Sequence, residues 1–128
     1  MRMLIATSRP ADFTAFVAAL TRNGVETSLV STGQASLTLA QKQPPTVIVV
    51  DENLPDSDPF VLVAKLMETN AAILTAVVSR FSPEHFHEAG EGLGILTQLP
   101  RHPGADDAQK LLTALAPLVP AQIGRAHV

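Results

Sequence analysis

At 128 residues, with five Phe and no Trp, Tyr or Cys, the chain is sized for one domain whose core volume must come from Leu, Val, Ile and Ala. A net charge of −3 supplies no electrostatic footprint for nucleic acid or an anionic membrane, and the lack of cysteine excludes disulfide and thiolate chemistry. Its longest apolar stretch, Ala71 to Val78, falls far below the ~20 residues a bilayer requires, and Met3 to Ala6 is too short for a signal-peptide core, so a cytoplasmic protein is expected.

Met3-Leu4-Ile5-Ala6 predicts a first strand. Ser8 and Pro10 mark a helix start, Phe13, Phe16, Val17 and Leu20 follow at i, i+3, i+4, i+7, and Gly24 closes the helix. Glu26 to Val30 predicts a more polar strand, suited to a sheet edge. Gly33 to Gln41 is a short helix with few apolar anchors, ended by Pro44-Pro45.

Thr46 to Val50 is nearly all apolar and β-branched, as in a strand buried on both faces, and it stops abruptly at Asp51. Ligands of open α/β sheets sit beyond the carboxyl ends of the strands, so Asp51 is where a site would lie. A polar residue in that place more often simply starts a turn, and only the rest of the chain can decide.

Asp58-Pro59 predicts a helix N-cap with proline in the first turn, followed by an apolar stripe of Phe60, Val63, Ala64 and Met67, with Leu62 and Leu66 beside it. Ile73 to Val78 is a fourth apolar strand ending at Ser79-Arg80. Ser82-Pro83-Glu84 starts a fourth helix anchored only by Phe86 and Ala89, expected to be short, displaced or mobile. Gly94 to Gln98 is a fifth strand, ending at Leu99-Pro100. Asp106 or Asp107 is expected to cap a last helix with Ala108, Leu111, Leu112 and Leu115 on one face, ended by Pro117 and Pro120. The expected domain is 1–118, with 119–128 as a C-terminal tail.

Five strands alternating with five helices call for an α/β doubly wound parallel sheet covered on both sides, because such crossovers are right-handed. A polar second strand at the edge selects the flavodoxin-like order 2-1-3-4-5.

The run Asp51-Glu52-Asn53-Leu54-Pro55-Asp56-Ser57-Asp58 resembles the phosphoacceptor loop of response-regulator receiver domains of two-component signal transduction. Leu54-Pro55 matches their hydrophobic-proline step, Ser79 their switch Ser or Thr, and Pro100 the proline ending their fifth strand. The resemblance covers nearly the whole chain. It implies that Asp51 holds the phosphoacceptor position, that a protein such as a histidine kinase is the partner, and that the face formed by helix 4, strand 5 and helix 5 can pair, here Glu84 to Glu91 and Asp107 to Leu118. A homodimer through that face is one form of this.

The departures are chemical. The family's magnesium-holding acidic pair is matched by Thr7 and Ser8, leaving Asp51 and the Asn53 carbonyl as the only matched ligands. Its phosphoryl-pairing lysine is matched by Leu99, its switch aromatic by Leu96, and the glycine of the loop by Pro59. Phosphoryl transfer depends on neutralising charge with metal and cations, so no metal and no cofactor are expected, with magnesium only if phosphorylation persists. Arg9 and Arg80 can point either at Asp51 or into solvent, and solvent is expected for at least one.

Other chemistry has little support. Asp51, Asn53, Asp56 and Asp58 lack the glycine and distal glutamate of a calcium loop, His85 and His87 lie on different helix faces, and Gly90, Gly92 and Gly94 precede a strand instead of opening a helix. No phosphate loop and no nucleophile elbow occurs. The expectation is a stand-alone, atypical receiver-like domain, not an enzyme, acting as a protein-interaction module without the magnesium-dependent cycle. Two alternatives stand beside it. One is a working receiver phosphorylated on Asp51 by a histidine kinase. The other is a small flavodoxin-like ligand-binding domain or enzyme, for which Thr7, Ser8, Asp51 and Ser79 are the only convergent polar groups.

Overall fold

A computed structural model of the chain describes residues 1–119. Strands β1 (Arg2–Ala6), β2 (Glu26–Val30), β3 (Val47–Val50), β4 (Leu74–Val78) and β5 (Ile95–Leu99) alternate with helices α1 (Thr14–Arg22), α2 (Gly33–Lys42), α3 (Pro59–Thr69), α4 (Pro83–Ala89) and α5 (Ala105–Leu115). All strand pairs are parallel and the sheet order is β2-β1-β3-β4-β5, the doubly wound flavodoxin-like arrangement expected. The polar β2 is an edge strand, and every residue of β3 is buried.

Side chains alternate across each strand, so the apolar run of β3 feeds two cores. Met3 and Ile5 of β1, with Val47 and Val49 of β3, pack under Phe13, Phe16, Leu20, Leu111 and Leu115, the side covered by α1 and α5. Leu4, Ile48, Val50 and Val77 pack on the other side with Ala40, Leu62, Val63 and Leu66, from α2 and α3. Gly24, which ends the first helical unit, sits at φ +80°, the left-handed conformation that glycine adopts without strain.

Several elements differ in detail from the sequence expectation. The first helical unit begins as a 3-10 turn, Pro10–Phe13, and becomes α-helical only at Thr14. In α3 the buried row is Pro59, Leu62, Val63 and Leu66, so the stripe is rotated from the one expected. Met67 is exposed, and Phe60 turns toward Phe81 and Phe86. Both rows satisfy helical spacing, and the row facing the β3 and β4 side chains wins the burial.

The residue capping α5 is Gly104, not Asp106 or Asp107. Asp107 Oδ2 instead accepts from Gly104 N–H at 2.8 Å, acting from inside the first turn, where a carboxylate still meets the positive end of the helix. Helix α4 is short, as expected, and none of its residues is buried. Leu118 is exposed and Val119 packs against the α1–α5 core. The remainder of the expected tail lies outside the described residues. Among the described residues no helix is long and apolar enough to cross a membrane.

Candidate functional site

The strand alternation that buries Ile5 and Val49 carries on to Thr7 and Asp51. Asp51 N–H donates to Ala6 O at 2.9 Å, which holds the two strand ends side by side. Asp51 is completely buried, and Thr7 is nearly so.

A carboxylate offers about four lone-pair positions, and a buried one must fill them. On Oδ2, Asp51 accepts from Thr7 Oγ1 at 2.7 Å and from Arg9 Nε at 2.9 Å. On Oδ1 it accepts from Arg9 Nη2 at 2.9 Å and from Glu52 N–H at 2.8 Å. The arginine therefore meets the carboxylate edge to edge, a geometry of parallel N–H···O bonds that lysine cannot make.

Arg9 reaches this position because the chain turns sharply after β1. Its own N–H donates to Thr7 Oγ1 at 3.0 Å, and its guanidinium lies 5.4 Å from the Phe13 ring centre. Its remaining edge donates to Asp12 Oδ2 at 3.1 Å, where His102 also lies 3.9 Å away. The Arg9 pKa is raised above its ordinary value, chiefly by the hydrogen bond to Asp51, against the opposing effect of burial.

The residues singled out from sequence separate into two groups. Thr7 and Asp51 are in direct contact. Ser8 is exposed and donates to the Asn53 backbone carbonyl at 3.2 Å, and Asn53 is exposed too. Ser79, which follows β4, accepts on its hydroxyl from Phe81 N–H at 3.1 Å. Leu99 is buried in the α1–α5 core and Pro100 is exposed. Of the two arginines left open by sequence, Arg9 pairs with Asp51, while Arg80 is 65% exposed and pairs with Glu52.

Two residues that organise this end of the sheet have weak or no local signals. An arginine two residues past Thr7 is the signal for a partner of Asp51, and Arg80 is by sequence no weaker a candidate. Glu52 carried no signal, because its partners Arg80 and Arg101 lie on two other loops.

By sequence, the chain matches no protein-family model and no curated protein. Solved structures do resemble it. A Francisella response-regulator receiver domain superposes with TM-score 0.79 at 19% identity, covering 91% of this chain and 98% of that one. The Vibrio cholerae chemotaxis protein CheY4 gives 0.76 at 21% identity, covering 88% and 95%. The receiver domain of a Pseudomonas aeruginosa sensor histidine kinase, with a magnesium ion coordinated in its active-site cleft, gives 0.71 at 18%, covering 86% and 92%.

The fold is that of a receiver domain.

In this receiver fold Asp51 holds the carboxyl end of the central strand, and the cation beside it comes from the chain itself. Among the described residues no group of three His, Cys, Asp or Glu side chains is gathered to hold a metal ion.

Proposed function

We propose that the chain is a protein-interaction module of the two-component signalling type, with an Asp51 pocket closed from within by Arg9. The bidentate Arg9–Asp51 pair is the observation that carries this reading. Phosphorylation of an aspartate needs a free carboxylate oxygen to attack the phosphoryl donor, and a metal to neutralise the charge that gathers. Here both oxygens are engaged, and the positive charge is already supplied by a side chain that cannot be deprotonated.

The receiver fold implies magnesium, and the donors present do not fit it. Magnesium prefers carboxylates in octahedral geometry and dehydrates reluctantly. At the two positions matching an acidic pair stand Thr7, whose hydroxyl is spent on Asp51, and Ser8, whose hydroxyl is spent on Asn53. The one carboxylate left is paired with a guanidinium that a divalent cation would have to displace.

The partner in this reading is a protein, a histidine kinase or another signalling protein, engaged through the surface of α4, β5 and α5 or through a second copy of the chain. A small-molecule site is less well supported, because Thr7, Asp51 and Ser79 spend their polar groups on neighbours within the fold.

The test is a magnesium titration followed by acetyl phosphate or beryllofluoride, read by mass spectrometry and NMR on wild type and Asp51→Asn. The expected result is no labelling and no shift at the strand ends. Labelling that disappears in Asp51→Asn overturns this reading in favour of a working receiver.

A further inference from the structure

A second carboxylate organises the same end of the sheet. The Glu52 side chain is only 11% exposed. Its Oε1 accepts from Arg80 N–H at 3.0 Å, and its Oε2 pairs with Arg80 Nε at 3.3 Å and Arg101 Nη1 at 3.4 Å. One residue after β3 thus ties down the segments that follow β4 and β5.

Two further ties act on the segment after β4. Ser79 Oγ accepts from Phe81 N–H, and Gln98 Nε2 donates to Ser79 O at 3.1 Å and to Phe81 O at 2.8 Å. With Arg80 N–H on Glu52, the backbone from Ser79 to Phe81 is hydrogen-bonded at each residue. None of these bonds involves Asp51, whose partners are Thr7, Arg9 and the Glu52 amide.

What this segment presents is aromatic. Phe81 is 39% exposed and stacks on Phe60, with ring centres 5.7 Å apart, and on His85 of α4, at 3.8 Å. Phe60 meets Phe86 of α4 edge-on at 5.5 Å. With no fully buried residue of its own, α4 is held by these ring contacts and by Phe86, which packs against the core on the α2–α3 side.

We propose that Glu52 is the positioning residue for the Ser79–Phe81 segment, and that through it Glu52 holds the aromatic surface at the start of α4 in one arrangement, whatever the state of Asp51. The proposal rests on the reading that the Asp51 pocket is closed, and it states what takes over the setting of the neighbouring surface. An exposed ion pair would be a poor device for this, since most contribute little. Glu52 is largely sequestered and accepts from a backbone N–H as well as two guanidinium groups, so its removal releases the Arg80 amide and both arginines to solvent and frees the segment they hold.

The experiment measures amide hydrogen exchange and the ring resonances of Phe81 and His85 in the full chain. It compares wild type with Glu52→Gln, Glu52→Ala and Asp51→Asn. Exchange at Arg80 and Phe81 is expected to rise at least ~10-fold in Glu52→Ala and less in Glu52→Gln, with both rings shifting. Asp51→Asn is expected to leave these signals near wild type while perturbing Thr7 and Arg9. Unchanged exchange in Glu52→Ala, or an equal effect from Asp51→Asn, overturns the proposal.

If neither Glu52 variant folds, a salt titration of wild type decides, because at ~1 M salt the screening length falls to ~3 Å. The Phe81 and His85 signals should then move as the Arg80 and Arg101 pairs weaken, and salt-invariant signals would overturn the proposal. Phosphodonor labelling of Asp51 sinks the closed-pocket reading, whereas the loop measurements sink this one, so the two failures are distinguishable.

Discussion

Arg9 lies edge to edge with Asp51, Nε on Oδ2 and Nη2 on Oδ1, each at 2.9 Å. The pair spans two adjacent strand ends and puts a guanidinium against the carboxylate at the end of β3. Every oxygen lone pair of Asp51 is matched by a donor from the same chain.

Breaking that pair from the cation side should be costly. Arg9→Ala leaves a fully buried carboxylate with only Thr7 and the Glu52 amide as partners, and a loss of about 3 kcal/mol is expected. Arg9→Lys should recover only part of it, since one ammonium cannot make both bonds. Urea denaturation of the two variants, with Asp51→Asn completing a double-mutant cycle, measures the coupling. Coupling near zero would mean that the pair is ornamental.

Metal binding should be recoverable only when the arginine goes. Thr7→Asp with Ser8→Asp introduces an acidic pair beside Asp51, but with Arg9 in place the carboxylate stays paired. Adding Arg9→Ala is expected to bring magnesium affinity to about the millimolar range, the weak end for hard cations. Isothermal titration of the double and triple variants separates the two effects. Equal affinities in both would show that Arg9 does not obstruct the site.

Acid should loosen the contact between the loop after β3 and α2. Asp56 accepts from Gly33 N–H at 2.8 Å and Gln34 N–H at 3.0 Å, capping α2 from another loop. Those backbone bonds hold its pKa below the ordinary 3.8. A carboxylate depressed in the folded state contributes stability above its unfolded pKa and loses it as pH falls through the folded value. Asp56→Asn should therefore lower the urea midpoint near pH 7 and lose less than wild type on going to about pH 3. Parallel pH profiles for the two proteins would refute the assignment.

Gly33 should resist even a methyl group. A Cβ there would collide with the Ser57 hydroxyl and lie 3.1 Å from Ser57 Cβ and 3.3 Å from Asp56 Oδ1. Gly33→Ala is expected to cost about 1–3 kcal/mol, as overpacking does. Gly33→Ala with Ser57→Gly should recover most of it, which thermal melts can check. No rescue would place the strain elsewhere.

Periodicity and punctuation alone determined the architecture. Runs such as Val47 to Val50 can satisfy neither a solvated strand nor an amphipathic helix, and a polar Glu26–Val30 among apolar strands has only the edge to go to. Local signals stop where competing rows or partners are equally acceptable to the backbone. The stripe of α3 was ambiguous by one residue, and the sheet chose it. The cap of α5 lay among neighbouring candidates, and the structure puts Gly104 there in an extended conformation, with Asp107 accepting from its N–H.

The site divides along the same line. A carboxylate at the end of the buried third strand and a hydroxyl just after the first were legible, because each is a property of one position. Which arginine meets Asp51, and what Glu52 holds, were decided only in the tertiary structure. These depend on which side of a strand a residue leaves and on which loops meet at its end. Residues 42 apart in the chain, Arg9 and Asp51, become partners because β1 and β3 are neighbours in the sheet. An ion pair of that separation has no local signature. Its energy exists only once the sheet has placed the two charges together and removed the water from between them.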